Sequence, residues 1–377
     1  ILTEGSLEAE VPTSFNRTEQ HSIQMARPSD TKKCSFTSLS PALASGLDLR
    51  AVWGSDPDNM FVVGGESVGN VTKGVIIQCN STSAECAPLN SNINSTDSNF
   101  ATNISIWGSD KNHIFVGNLQ GNIIRCSAES SSCASIYQPA FSDFKSIWAS
   151  DSDNIYAGGN SRGSSIHRCS SSINNCVPLI AAGRTVVSSL WGSGSEYVYA
   201  VDSNTPGVSR CRASSTTCDQ LSSMGPNFQA LNKVWGSDPL NVYAVGQAGM
   251  IVRCTAATSV CTPLNSGTTA LLNSVWGSDA ENVYAVGNGA IVRCRAGSDI
   301  CEPLSFGTAS EFKAVWGSDA NNVYAVGTNG SIVRCSSDSG TCVTLTSGVT
   351  VSLLSVFGTD SNNIYVIGDG TILRRRL

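Results

Sequence analysis

One residue sets the architecture. Trp53, Trp107, Trp148, Trp191, Trp235, Trp276 and Trp316 each follow Val, Ile or Leu and precede Gly or Ala, and Phe357 holds the same place in an eighth copy. The interval is about 40 residues, which is the length of a propeller blade or of a two-helix solenoid unit. Local chemistry separates the two. The copy beginning at Leu272 contains four short runs, at 273–276, 283–286, 290–294 and 301–305. The first three are rich in β-branched and aromatic residues, and Gly, Asp, Asn and Ser separate all four. No stretch sustains a 3.6-residue period, which excludes helices. Four strands per copy, repeated eight times, predict an all-β, eight-bladed β-propeller of four-stranded antiparallel blades.

The runs are apolar on consecutive positions, as in Val242-Tyr243-Ala244-Val245. A strand with one wet face would alternate, so each blade must be covered on both faces by its neighbours. Pro88, Pro178, Pro263 and Pro303 fall in the fourth run. Proline cannot donate to a central ladder, which places that run at the outer rim. The eighth copy ends after its third run, and the segment around Cys34 stands where a fourth strand is missing. The expectation is that residues 34–40 pair with 371–376 and close the ring, giving a propeller over 34–377 preceded by an arm over 1–33.

The fifteen cysteines follow the same repeat. Seven pairs share one spacing: Cys79 with Cys86, Cys126 with Cys133, Cys169 with Cys176, Cys211 with Cys218, Cys254 with Cys261, Cys294 with Cys301 and Cys335 with Cys342. Each flanks the turn between the third and fourth runs, where cross-strand Cα atoms come within disulfide reach. Isolated single-hairpin pairs in a chain with three histidines do not form zinc sites, so no metal or other cofactor is expected. Cys34 is left over, in the place of the fourth-strand cysteine of the closing blade with Arg375 opposite. It is either an intermolecular partner or a buried free thiol.

The string Val275-Trp276-Gly277-Ser278-Asp279, continued by Asn282-Val283-Tyr284-Ala285-Val286-Gly287, resembles the VWGS…VYAVG propeller repeats of secreted bacterial surface proteins. The resemblance runs over 47–377 and implies a propeller architecture without assigning an activity. The cysteine ladder departs from the commoner cysteine-free form of that repeat.

Charge and composition narrow the function. Only 14% of residues are charged and the net charge is -6, with no basic block, so nucleic acid is excluded as a partner. No apolar run reaches membrane-spanning length. The chain opens Ile1-Leu2-Thr3-Glu4, with neither an initiator Met nor a charged-then-apolar leader. That opening and the cysteine pairs give the expectation of a secreted, extracellular or cell-surface protein. Asn16, Asn70, Asn80, Asn94, Asn103 and Asn329 stand in sequons and are candidate glycosylation sites.

Two polar residues recur. The Asp of the WGSD string (Asp56, Asp110, Asp151, Asp238, Asp279, Asp319, Asp360) is either a calcium ligand or, the favoured reading, a turn cap. Arg125, Arg168, Arg210, Arg253, Arg293, Arg334 and Arg374 mark the third run, with Gln78 in the first copy. They could form an anion-binding ring, but are expected to pair with carboxylates such as the WGSD aspartate. Gly65-x-Ser67-x-Gly69 and Gly159-x-Ser161-x-Gly163 match a nucleophile elbow. Both fall in hairpins rather than strand-to-helix turns, and His21, His113 and His167 have no triad context, so no catalysis is expected.

The irregular copies carry the remaining information. Copies five to seven are near-identical, whereas copies one to four are ragged between the second and third runs, at 64–74, 159–165 and 202–208, and the 90–103 connection is long. These loops and the blade-to-blade connections share one face. Glu66, Lys73, Asn160, Arg162 and Asp202 are therefore the candidate ligand residues. Residues 1–33 are polar and mixed in charge, and are expected to act as an arm for self-association. The leading expectation is a structural or adhesive extracellular propeller that assembles with protein, itself included. The alternative is a glycan-binding propeller.

Overall fold

The four apolar runs of each copy do form four antiparallel strands. In the computed structural model, residues 36–41, 46–68, 71–83, 85–91, 102–137, 142–161, 165–181, 186–221, 228–308 and 310–375 are described. Blade 5 shows the plan, with strands Leu231–Asp238, Asn241–Gly246, Ile251–Thr255 and Val260–Leu264 paired in that order. The first strands of the eight blades are Leu47–Asp56, Asn103–Asp110, Ser142–Asp151, Ser189–Gly192, Leu231–Asp238, Leu272–Asp279, Phe312–Asp319 and Leu353–Asp360. First strands of successive blades pack on one another, Leu353–Asp360 against Leu47–Asp56 included. They therefore line the axis of a closed ring: an eight-bladed β-propeller. Among the described residues there is no α-helix, and no helix is long and apolar enough to cross a membrane.

Second strands lie between neighbours on both faces. Val242, Tyr243, Ala244 and Val245 are all fully buried, which accounts for their lack of polar alternation. Pro88, Pro178, Pro263 and Pro303 all sit on fourth strands, as their missing N–H requires.

Trp and Gly recur together because they meet across the blade boundary. A Cβ on Gly236, Gly277 or Gly317 would stand 2.7 Å from Cη2 of Trp191, Trp235 or Trp276 on the preceding blade. The same ring-on-glycine contact joins Trp53 to Gly108, Trp148 to Gly192 and Trp316 to Gly358. Blade 3 has Ala149 in the glycine place, and there Trp107 Nε1 donates to the Ala149 carbonyl at 2.8 Å. All seven tryptophans are thus used in packing one blade on the next. Gly277→Val should destabilise the ring by about 1–3 kcal/mol through overpacking. Gly277→Ala should cost less, following the arrangement at Ala149. Urea melts of the two variants check this order.

The ring closes as expected. Phe36–Pro41 is the outer strand of blade 8, with Phe36 opposite Arg375, Thr37 opposite Arg374, Ser38 opposite Leu373 and Leu39 opposite Ile372. Phe36 packs with Tyr324 and Val326 of blade 7, and Leu39 packs with Leu49 and Val62 of blade 1, so this strand seals two boundaries. The register corrects one expectation. In blade 5, Arg253 faces Thr262 and Cys254 faces Cys261. Since Arg374 faces Thr37, the cysteine place in blade 8 belongs to Phe36, not Cys34. Cys34 and the arm over 1–33 lie outside the described residues.

A further link at the rim is not legible in the repeat. Ends of fourth strands pair in parallel with the fourth strand of the next blade. Ser40 and Pro41 pair with Glu85 and Cys86, Asn90 and Ser91 with Ser132 and Cys133, and Ile180 and Ala181 with Thr217 and Cys218. Asn265 makes a single such bridge to Ile300. The outer strands hand on from blade to blade at the cysteines.

Candidate functional site

Antiparallel order sorts every connection to one of two faces. First-to-second turns and third-to-fourth hairpins lie on one face. Second-to-third loops and the connections between blades lie on the other.

The first face is the more regular of the two. Each WGSD aspartate closes its own turn: Asp238 Oδ1 accepts the Leu240 N–H at 2.8 Å, and both carboxylate oxygens accept from Asn241 Nδ2. Asp279 and Asp319 repeat this with Asn282 and Asn322. Burial alone would raise these carboxyls, but bonds from Asn, Ser and backbone N–H outweigh it and hold them below the usual carboxylate range. In blade 2, His113 Nδ1 takes the asparagine's place, 2.8 Å from Asp110. The aspartates are turn caps.

All seven expected cysteine pairs stand at disulfide distance, with Cα atoms 4.0–4.4 Å apart. Cys79 meets Cys86, Cys126 meets Cys133, Cys169 meets Cys176 and Cys211 meets Cys218. Cys254 meets Cys261, Cys294 meets Cys301 and Cys335 meets Cys342. In each pair the second cysteine is buried, and Cys176 and Cys342 are somewhat less enclosed than their third-strand partners, whereas Cys301 is nearly as enclosed as Cys294. Cys301 differs in one respect. It stands just before its short fourth strand, Glu302–Pro303, and its N–H donates to Asn265 O of the preceding blade at 2.8 Å. Cys176 and Cys342 lie within theirs, Asn175–Ala181 and Thr341–Leu345.

The recurrent arginines do not pair with the WGSD aspartates. Instead, Arg210, Arg253, Arg293 and Arg374 reach over the boundary to a carbonyl on the next blade's disulfide hairpin. Arg210 donates to Ala256 O at 2.9 Å, Arg253 to Ser298 O at 3.5 Å, Arg293 to Ser337 O at 3.3 Å and Arg374 to Asn80 O at 2.6 Å. The aspartates are committed to their turns, so a carbonyl left free at the hairpin tip becomes the acceptor. The exposed Asp219 and Asp299 approach Arg210 and Arg253 only at 3.9 and 3.5 Å.

The opposite face is where the blades differ. In blade 1 the second and third strands run on to Val68 and Val71, four residue pairs beyond Gly64, where the second strand ends in the regular blades. That makes a finger of about 13 Å. Glu66, half-buried, and Lys73, exposed, face each other across it. Asn160 is exposed at the same level of blade 3, and its N–H donates to Asp143 Oδ1. Arg162 lies outside the described residues. Asp202 does not belong to the surface: it is fully buried and accepts N–H groups from Asn204 at 2.7 Å, Thr205 at 3.2 Å and Val186 at 3.4 Å. It holds its loop in shape.

Further charges surround the mouth of the axis on this face. Asp48–Arg50, Asp143–Lys145 and Glu311–Lys313 form ion pairs at the start of the first strands of blades 1, 3 and 7. Lys233 follows on the first strand of blade 5. Aligning the copies on Trp would have exposed these columns, because charge appears in them in some blades only.

The sequons divide. Asn103 is buried and its Nδ2 donates to Val75 O at 3.2 Å, so it cannot carry a glycan in the folded ring. Asn329 is at the corner of a loop, with φ 57° and its side chain in reach of water. Asn80 caps its hairpin by accepting from Thr82 and Ser83. Asn16, Asn70 and Asn94 lie outside the described residues. Of the elbow serines, Ser67 sits in the extended finger strand.

No family model matches the chain, and no curated protein matches it. Among solved structures it is similar to Sqt1 of Chaetomium thermophilum, with a TM-score of 0.70 and 12% identity over 91% of this chain and 98% of that one. It is also similar to YCF48 from Cyanidioschyzon merolae, with a TM-score of 0.58 and 11% identity over 90% and 98%. YCF48 bound to D1 peptide gives 0.58 and 12% over 91% and 95%. At such identities the likeness shows a shared propeller fold.

Proposed function

We propose that this chain is an extracellular, structural or adhesive propeller that works by binding protein and not by catalysis. One observation carries the reading: the length changes between blades are concentrated on one face. The stapled face repeats the Asp–Asn turn and the disulfide hairpin in most blades and the Arg–carbonyl link from Arg210, Arg253, Arg293 and Arg374. The other face bears the blade 1 finger and the blade-specific charge pairs. A rigid ring with one variable face is the form of a binding scaffold. The fold likeness to YCF48, which is seen with a D1 peptide bound, agrees with a protein ligand. Seven cysteine pairs at disulfide distance fit an oxidising compartment.

Within this reading, residues 1–33 serve self-association. Deleting them should abolish assembly of the intact propeller, read by light scattering at matched concentrations. Unchanged assembly would reject the role of the arm. The glycan-binding alternative needs an aromatic platform, whereas all seven tryptophans are engaged between blades.

A further inference from the structure

Lys233 stands where the repeat otherwise keeps a small residue. Two positions before each marker residue are Ala51, Ser105, Ser146, Ser189, Ser274, Ala314 and, before Phe357, Ser355. Blade 5 alone places a long cation there. The small residue has a use: Ser146 Oγ accepts the N–H of Leu190 at 2.9 Å, and Ser189 and Ser274 accept from Val234 and Val315 at 3.4 Å, each time on the next blade. An ammonium has no lone pair with which to accept, so blade 5 forgoes this link, as blades 1 and 7 do with Ala51 and Ala314, but it alone fills the place with a long charged side chain. The departure falls in a copy that is otherwise near-identical to the two after it. A long cation where seven copies keep Ala or Ser, with no structural gain, points to function at that residue.

The position is specific. Lys233 is on the innermost strand, its side chain is open to water, and yet surrounding protein desolvates the ammonium enough to lower its pKa. First strands line the axis of the ring, so an exposed side chain at this place opens toward that axis. The three cations at the channel mouth have acids of their own, Asp48, Asp143 and Glu311. Among the described residues, no carboxylate lies within ion-pair reach of Lys233.

We infer that Lys233 receives a carboxylate carried into the channel from the variable face by an acidic peptide segment of a protein partner. The inference rests on the protein-binding reading above and names the chemistry that the face selects. A desolvated, uncompensated ammonium gains a charge-assisted hydrogen bond from an entering carboxylate, while the paired cations at the mouth offer less.

Fluorescein-labelled hexaglutamate tests this by polarisation on the intact chain, with hexaglutamine as the neutral control. Binding of hexaglutamate should weaken at least tenfold in Lys233→Ser and stay within twofold in Lys111→Ser, on the stapled face. Lys233→Ser should melt no lower than the parent, because serine restores the acceptor for blade 6. That separates a lost ligand contact from a damaged fold. No binding by the parent, or binding within twofold in Lys233→Ser, overturns the inference. The titration reads the channel and light scattering reads assembly, so the two readings fail separately.

Discussion

Full reduction of the seven hairpin bridges should unfold the ring at or below about 37 °C. Each bridge closes a short loop, for which the loss of chain entropy in the unfolded state amounts to about 2–2.5 kcal/mol. Seven such contributions, about 14–17.5 kcal/mol together, match or exceed the roughly 5–15 kcal/mol by which a typical domain is stable. The fourth strands have little else to hold them: in blade 5 only Cys261 and Leu264 of that strand are buried. Blade 8 is the internal control. Its fourth strand has no bridge among the described residues and uses Phe36 and Leu39, each buried in a different blade boundary. Replacing Cys254 and Cys261 together by Ala should therefore lower stability by about 2 kcal/mol. It should also speed amide exchange in Val260–Leu264 while leaving Phe36–Pro41 unchanged. Thermal melts with and without reductant, and hydrogen exchange on the double variant, check both statements. A melting point that moves by only a few degrees on full reduction would mean that packing, not cross-linking, holds the rim.

What is legible in the sequence is what repeats locally. The Trp spacing marks the blades, the consecutive apolar runs mark burial on both faces, and the prolines mark the rim. The cysteine pairs, down to Cys176, Cys301 and Cys342, follow from hairpin length alone. These features work because each is decided within one strand or one hairpin. Misreadings arise where the partner lies elsewhere. Cys34 falls two residues short of the true cysteine place because the third and fourth strands of blade 8 come from opposite ends of the chain, so no hairpin length sets their register. Phe36 holds the place instead. The arginine acceptors belong to the following blade, 44–46 residues on for Arg293, Arg253 and Arg210 and near the other end of the chain for Arg374, and are backbone carbonyls, which leave no trace in residue type. Asp202 reads as a surface residue because Ser, Asn, Pro and Gly surround it, but its carboxylate organises that loop from inside. At the variable face, Glu66, Lys73 and Asn160 are legible because blade insertions are visible as length. Lys233 is not, because its oddity is not in its own segment but in what seven other blades place at the same position.

Acid should weaken the ring in two separate windows, and the upper one belongs to His167. This side chain is 4% exposed and lies between the rings of Tyr137 at 5.6 Å and Phe144 at 5.5 Å, at the boundary of blades 2 and 3. Its Nδ1 has no hydrogen-bond partner. Burial pushes its pKa down to about 4 from an ordinary 6.5. The unfolded chain therefore takes up the proton first as pH falls. Stability is unaffected above about pH 6.5, declines from there to about pH 4, and loses nothing more to this group below that. The depressed pKa corresponds to about 3 kcal/mol across the window. The turn-capping aspartates act lower. Their folded pKa values lie beneath the ordinary carboxylate value of 3.8, so their contribution is complete above it and fades as pH drops further. The third-strand position of His167 is Val252 in blade 5 and Val292 in blade 6, each opposite a proline as His167 is. His167→Val supplies the repeat's own residue and should flatten denaturant stability between about pH 6.5 and 4 while leaving the loss below about pH 4 intact. Equal slopes for the parent and His167→Val in the upper window would show that a different group sets the acid limit of this propeller.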